Sequence, residues 1–156
     1  MYAATFLEEN PSINYVELIE KIESIASKTR FAFIPDSLDF LRAGGRVSNI
    51  AFIGGTLLKI KPCIELKEGK LVPTKKYRGN MKNVAEKLMR DYLDQYDINR
   101  KQLNLIYSVG LDESIKRNME KMAKESGFEN IEWIQGGPTI STHSGPGCFG
   151  ISGIEY

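Results

Sequence analysis

Residues 61–77 have the sequence KPCIELKEGKLVPTKKY, and this stretch decides the class of fold. Residues 61–66 and 71–77 suit β-strands, and Glu68 and Gly69 stand between them, which predicts a β-hairpin. Because the strands of a hairpin are antiparallel by construction, the sheet that contains them is not purely parallel. Strands and helices alternate irregularly elsewhere, so we predict an α/β fold in two layers, with a mixed β-sheet and helices mainly on one face.

Apolar periodicity and capping residues predict the elements on either side of the hairpin. After a short helical stretch that Pro11 interrupts, helices are predicted at residues 16–25, 81–96 and 113–126. A shorter helix carries Leu38 and Leu41 and ends at Gly44 and Gly45, and residues 47–60 are compatible with another. Strands are predicted at residues 30–35, 103–109, 131–134 and 148–154. Residues 136–147 are rich in Gly, Pro, Ser and Thr, which predicts a loop.

Composition excludes several classes of function. The chain has 156 residues and a net charge of +1, so it suits one domain and has no basic excess for a nucleic-acid partner. No apolar run approaches the length of a membrane-spanning helix. Cys63 and Cys148 lie far apart in apolar contexts and are expected to be free core thiols, which favours the cytoplasm. With one histidine and no Cys-x-x-Cys, we expect no metal and no cofactor.

Residues 140–147, ISTHSGPG, are the strongest candidate for a binding segment. A histidine beside hydroxyl groups can donate hydrogen bonds to a carboxylate or a phosphate, and Gly and Pro let the backbone approach a ligand. A tight loop with a solvent-exposed His143 explains the same composition equally well. No Ser/His/Asp or Cys/His arrangement and no phosphate-binding glycine loop accompanies it.

Three further segments each allow two interpretations. Gly44-Gly45-Arg46 either aims a guanidinium at a carboxylate or phosphate, or is an ordinary helix end with a surface arginine. The basic residues Lys75, Lys76, Arg78 and Lys82 either meet an acidic partner or form a charged rim. Residues 50–60, which are mostly apolar, either fill the core or line a long-chain ligand.

These segments, taken together and in this order, resemble the DegV family. Members of that family carry a Leu-rich helix ending in Gly-Gly-Arg, an apolar stretch running into Lys-Pro, a strand reaching Arg-Gly, and a His-Ser/Thr-Gly-Pro-Gly segment. The corresponding residues here are 38–46, 50–62, 78–79 and 143–147. The resemblance covers about residues 30–156, and four pieces in register make it specific.

The resemblance implies a bacterial carrier protein and not an enzyme. Such a protein binds a long-chain fatty acid, such as palmitate or oleate, and presents its carboxylate to a partner fatty acid kinase, which makes an acyl phosphate for phospholipid synthesis. By motif, Arg46, Thr142 and His143 would bind the carboxylate, and Arg78 would meet the kinase or the phosphate. The residues implied for the wall around the acyl chain are Phe52, Ile53 and Leu57.

The resemblance also implies a second domain. We expect residues 1–156 to be the C-terminal domain of a two-domain protein, with residues 1–29 forming an interdomain helical region. The N-terminal domain, with its Ser/Thr carboxylate ligands, would lie outside this sequence, and an apolar patch left uncovered near His143 would favour self-association. The alternative is a small enzyme or kinase subunit that uses His143 as a general base or covalent ligand.

Overall fold

The computed structural model describes residues 2–45 and 60–156. These residues form twelve helices and strands, which follow in chain order. They are α1 Tyr2–Glu9, α2 Tyr15–Lys28, β1 Thr29–Ile34, α3 Asp39–Ala43, β2 Ile60–Lys67, β3 Lys70–Arg78, α4 Met81–Gln95, β4 Gln102–Tyr107, α5 Glu113–Glu125, β5 Asn130–Gln135, α6 Pro138–Ser144 and β6 Phe149–Ile154.

The strands form one six-stranded mixed sheet in the order β3-β2-β1-β6-β4-β5. The pair β4 and β5 is parallel, and every other neighbouring pair is antiparallel. The predicted hairpin is present as β2 and β3, and its turn places Glu68 and Gly69 at φ 51° and φ 73°. Both the mixed sheet and the α/β class are therefore confirmed.

Helices α4 and α5 cover one face of the sheet and form the main core with it. Asn80 caps α4 by accepting from the backbone N–H of Asn83, and Asp112 caps α5 by accepting from Ser114. The fully buried residues of this core include Val84, Leu88, Met89, Leu103, Leu105, Met119, Phe149 and Ile151. Alternation along β1 sends Ala32 and Ile34 to this face.

The opposite face, called the open face here, carries a smaller apolar cluster. Phe33, Leu41, Ile64 and Cys148 are buried in this cluster. A Cβ on Gly150 would lie 3.0 Å from the Cβ of Phe33, so the glycine leaves room for that ring on the sheet. Helix α3 supplies Leu41, which places α3 on the open face.

Helix α2 is amphipathic, as its sequence predicts, but its apolar stripe is not covered by the described residues. Asn14 caps the helix by accepting from two backbone N–H groups. Val16, Ile19 and Ile22 are 48%, 50% and 41% exposed, and α2 contains no buried residue. None of the helices in the described ranges is both long and apolar enough to cross a bilayer.

A buried carboxylate links the hairpin to α4. Glu65 is 3% exposed and accepts hydrogen bonds of 2.6 Å from both the Thr74 hydroxyl and the Tyr96 hydroxyl. Lys67 lies 3.3 Å from the same carboxylate. Burial by itself would raise the pKa of Glu65. The hydrogen bonds that the carboxylate accepts outweigh this effect, so its pKa lies below the usual value.

Both cysteines are buried free thiols, as expected from their apolar contexts. Burial raises the pKa of Cys63 to about 11 and that of Cys148 to about 12. Each side chain therefore behaves as a small core residue, because the reactive thiolate form is suppressed.

Candidate functional site

The segment that carries His143 is a helix, and the prediction of a loop over residues 136–147 was wrong in this respect. Pro138 is the first residue of α6, a position that does not need the N–H that proline lacks. The hydroxyl of Ser141 donates to the Gly136 carbonyl at 2.9 Å, and that of Thr142 donates to Pro138 at 2.8 Å. The hydroxyl groups that favoured a loop therefore bond within the helix and at its start.

A tight turn follows α6 and is anchored by a buried serine. Gly145 and Gly147 have φ of 74° and 72°, a region that favours glycine. Ser108, which is 2% exposed, donates to the Gly145 carbonyl at 2.6 Å and accepts from the Cys148 backbone N–H at 2.9 Å. Ser108 thus joins both ends of the turn to the end of β4. Sequence reasoning missed this residue, since it looks like any serine at the end of a strand.

Three close contacts join residues 36–44 to residues 143–147, and each places a side chain over a glycine. The imidazole of His143 covers Gly44, and a Cβ on Gly44 would stand 2.8 Å from Cε1 of that ring. The Phe40 ring covers Gly145 in the same way. The Asp36 side chain faces Gly147, where an added Cβ would lie 3.3 Å from the Cβ of Asp36. We call these the three glycine contacts.

The glycine contacts bring parts of two candidate segments together. The Gly-Gly pair that ends α3 and the His-Ser-Gly-Pro-Gly segment are far apart in sequence, yet Gly44 and His143 touch. Glycine is needed at Gly44 for space and not for conformation, since its φ of −78° and ψ of −6° suit any residue.

His143 has one ring nitrogen without a partner. Its Nδ1 atom is buried and has no hydrogen-bond partner in the described part of the chain. An imidazole nitrogen can donate or accept a hydrogen bond, and buried polar atoms are nearly always paired. A group that bonds to this atom would therefore have to enter the contact between α3 and α6.

The surroundings of His143 do not resemble a catalytic triad. No ion pair joins a carboxylate to His143 within residues 2–45 and 60–156. In the same ranges, no group of three or more side chains suited to a metal comes together. A general base needs an orienting partner, and no carboxylate of these residues supplies one through an ion pair.

The other predicted site residues fall into two groups. Thr142 is exposed on α6, next to His143, and Arg78 is exposed at the end of the edge strand β3. Four predicted residues lie outside the described residues, so their positions stay untested: Arg46, Phe52, Ile53 and Leu57.

Apolar side chains surround the contact between α3 and α6. Leu41 of α3 and Cys148, directly after the turn, belong to the buried cluster on the open face. Phe40 is 40% exposed and Ile140 of α6 is 57% exposed. The unpartnered nitrogen of His143 thus lies where an apolar surface begins, an arrangement that suits a ligand with a polar head and an apolar body.

Comparison with known sequences identifies similar proteins of about twice this length. The protein-family model described as "Uncharacterised protein, DegV family" matches residues 1–155 of this chain. The DegV domain-containing protein YqaC of Lactococcus lactis is 32% identical over 146 residues, which cover 90% of this chain and 50% of YqaC. CA_C3284 of Clostridium acetobutylicum, also a DegV domain-containing protein, is 30% identical over 150 residues, covering 96% of this chain and 51% of that protein. The chain spans about half the length of the curated relatives it matches.

Solved structures share the fold. A fatty-acid-binding DegV family protein from Thermus thermophilus has a TM-score of 0.80 and 25% identity, covering 99% of this chain and 55% of that one. The Fatty Acid Kinase (Fak) B3 protein of Streptococcus pneumoniae, loaded with linoleic acid, has a TM-score of 0.80 at 17% identity. The match covers 94% of this chain and 52% of that one. At that lower identity the likeness concerns the fold alone.

Proposed function

Because this chain belongs to the DegV family, we propose that it binds a long-chain fatty acid, such as palmitate or oleate, and presents its carboxylate to a partner fatty acid kinase. The observation that carries this proposal is the buried, unpartnered Nδ1 of His143 at the contact with Gly44. A fatty acid carboxylate would supply the missing hydrogen-bond partner, and the apolar cluster of the open face would receive part of the chain.

The head-group site in this proposal has three members. His143 donates from its ring, and Arg46 adds a guanidinium from two residues beyond Gly44, which touches His143. Thr142 would donate its hydroxyl to the carboxylate in place of the bond that it donates to the Pro138 carbonyl. A guanidinium and an imidazole N–H suit a carboxylate because hydrogen bonds to a charged group are stronger than neutral ones.

The acyl chain supplies most of the affinity in this proposal. Each methylene group that leaves water contributes about 0.8 kcal/mol, before ordering costs are subtracted. Phe52, Ile53 and Leu57 are proposed as the wall of the acyl-chain site, together with the apolar cluster around Phe33 and Leu41. The polar head network would then fix the orientation of the carboxylate.

Delivery to the kinase is assigned to a different surface. Arg78 is exposed on the edge strand β3, in a basic cluster that also contains the exposed residues Lys75, Lys76 and Lys82. Charges on a rim act mainly on the encounter with a partner. The kinase would phosphorylate the presented carboxylate for phospholipid synthesis, and this chain would carry no catalytic residue of its own. A cytoplasmic location accords with this role.

The chain is proposed to act as the C-terminal domain of a two-domain carrier, with residues 1–29 between the domains. Two observations support this assignment. The curated relatives are about twice as long as this chain. The apolar stripe of α2, including Ile19 and Ile22, is left exposed by the described residues. An N-terminal domain would cover that stripe and contribute the Ser/Thr ligands of the carboxylate.

Titration calorimetry with oleate, kept below micelle formation, tests the proposal in two proteins. One is the 156-residue chain, and the other is a protein of the relatives' length in which an N-terminal domain precedes it. We expect much weaker binding by the chain alone, because each hydrogen bond lost from a charged head group costs roughly 1.5–3 kcal/mol. Equal affinity in the two proteins would contradict the two-domain account of the site.

The role of His143 is tested by His143→Ala in the longer protein. We expect oleate affinity to fall roughly tenfold or more, as for the loss of one hydrogen bond to a charged group. Thr139→Ala is the matched control, because Thr139 is an exposed residue of the same helix. Unchanged oleate affinity in a folded His143→Ala variant would contradict the head-group assignment.

A further inference from the structure

The turn after α6 is held from two sides. On one side, the end of β4 binds it through Ser108 and through the Val109 carbonyl, which accepts from the Gly147 backbone N–H at 2.9 Å. On the other side, the charged side chain of Asp36 faces Gly147. Asp36 follows β1 by two residues, so it links the centre of the sheet to the turn that ends the helix of His143.

Asp36 is itself held by a largely buried lysine. The Nζ of Lys61 donates to the Asp36 carbonyl at 2.8 Å and to its Oδ1 at 2.5 Å. The side chain of Lys61 is 12% exposed, whereas that of Asp36 is 53% exposed. A buried ammonium is costly without an anionic partner, so Lys61 strongly favours the conformation in which Asp36 lies over it. The two bonds restrain both the backbone and the side chain of Asp36.

We propose that Lys61 and Asp36 form a positioning pair for His143. Lys61 fixes Asp36 against Gly147, the turn transmits that restraint to the C-terminal end of α6, and the imidazole stays over Gly44. Neither residue is assigned a contact with the ligand. The benefit of this positioning for carboxylate binding rests on the proposed function. The position of the His143 ring can be measured without any ligand.

The sole histidine of the chain provides that measurement. Its imidazole C–H signals in an NMR spectrum report on His143 alone. We expect Lys61→Met to move or broaden these signals in the ligand-free chain. The separate variant Lys61→Arg keeps the charge and should give signals like those of the wild type. Asp36→Asn keeps the shape over Gly147 and removes the charge, so it should change the signals in the same way as Lys61→Met.

Lys116→Met is the matched control. Like Lys61, Lys116 is a mostly buried lysine paired with an exposed carboxylate. Its side chain is 18% exposed, and that of its partner Glu113 is 68% exposed. That pair lies within α5, where the Lys116 ammonium also lies 3.6 Å from the centre of the Tyr107 ring, and it does not include the Asp36 contact with Gly147. The control should therefore lower thermal stability similarly and leave the His143 signals in place. In the longer protein, Lys61→Met should weaken oleate binding about tenfold. The size of this effect is taken by analogy from residues that do not touch a bound metal but orient the side chains that do.

Two outcomes separate this inference from the proposed function. If the wild-type protein binds no oleate and Lys61→Met still moves the His143 signals, the proposed function fails and the positioning pair stands. If Lys61→Met or Asp36→Asn folds and keeps the wild-type His143 signals, the positioning pair is overturned, regardless of the oleate affinity of the variant. Should Lys61→Met not fold, Asp36→Asn alone decides.

Discussion

Substitution of Gly44 by alanine is expected to displace His143 while leaving the fold intact. The backbone of Gly44 has φ −78° and ψ −6°, so alanine is conformationally acceptable there. The added Cβ would collide with the imidazole, standing 2.8 Å from Cε1 of His143 and 3.2 Å from the Phe40 carbonyl oxygen. Because the imidazole can rotate more easily than backbone can move, the ring should leave its position over Gly44.

The magnitudes favour loss of function over loss of stability. Replacing glycine by alanine at a compatible position stabilises a protein by roughly 0.4–1 kcal/mol. Overpacking costs typically about 1–3 kcal/mol, and rotation of the ring relieves part of it. The net loss of stability should therefore be about 0–2 kcal/mol. Loss of a charged hydrogen bond from His143 should weaken oleate binding by roughly 1.5–3 kcal/mol, or about ten- to a hundredfold.

Gly45→Ala is the matched control for this experiment. Gly45 has φ 62°, and a Cβ there would meet no atom of residues 2–45 or 60–156 within 4 Å. Alanine in that left-handed conformation costs roughly 1–2 kcal/mol but does not touch His143. The two variants should be similarly stable in urea unfolding, while only Gly44→Ala moves the His143 NMR signals and weakens oleate binding. Wild-type signals and affinity in Gly44→Ala would refute the account of the site.

Three further predictions concern other parts of the molecule. Burial acts to raise the pKa of Glu65, but the hydrogen bonds from Thr74 and Tyr96 hold that pKa below its usual value. The stability that the ionised form contributes is therefore present above the usual pKa of the carboxyl group and is lost as pH falls through the folded pKa. Urea unfolding of Glu65→Gln should therefore show less loss of stability on acidification than the wild type, and an equal loss would contradict this. Arg78→Ala in the longer protein should leave bound fatty acid unchanged and slow kinase turnover more than Lys82→Ala does; loss of the lipid would count against the assignment. The exposed α2 stripe is a second surface through which the chain without an N-terminal domain is expected to self-associate. Ile19→Glu should therefore reduce self-association in sedimentation, whereas Ser24→Glu on the same helix should not, and equal behaviour would exclude the α2 stripe as the contact.

Local sequence patterns were sufficient to predict most of the elements. The spacing of apolar residues predicted α4 and α5, and their caps at Asn80 and Asp112 are short-range features. The hairpin of β2 and β3 followed from two strand-like runs around Glu68 and Gly69, and it established the mixed sheet. These features are predictable because they depend on residues a few positions apart.

The helix α6 shows where local patterns are insufficient. Proline, glycine and hydroxyl side chains favour a loop over residues 136–147, yet Pro138 starts a seven-residue helix. Such a short helix is marginal by itself and depends on tertiary packing, which here comes from α3. Gly145 accommodates the Phe40 ring and Gly44 accommodates His143. None of these contacts leaves a signal near α6 in the sequence.

The sequence alone determined which residue types are available for a head-group site, and the resemblance to the DegV family associated Arg46, Thr142 and His143 with it. Only the tertiary structure decided that Gly44 touches His143, that Ser108 anchors the turn, and that Lys61 holds Asp36. The reason is the order of the sheet, in which β6 lies between β1 and β4. This order brings the end of β1, with α3, beside the turn that leads into β6, and it arises from long-range strand pairing that short-range periodicity does not encode.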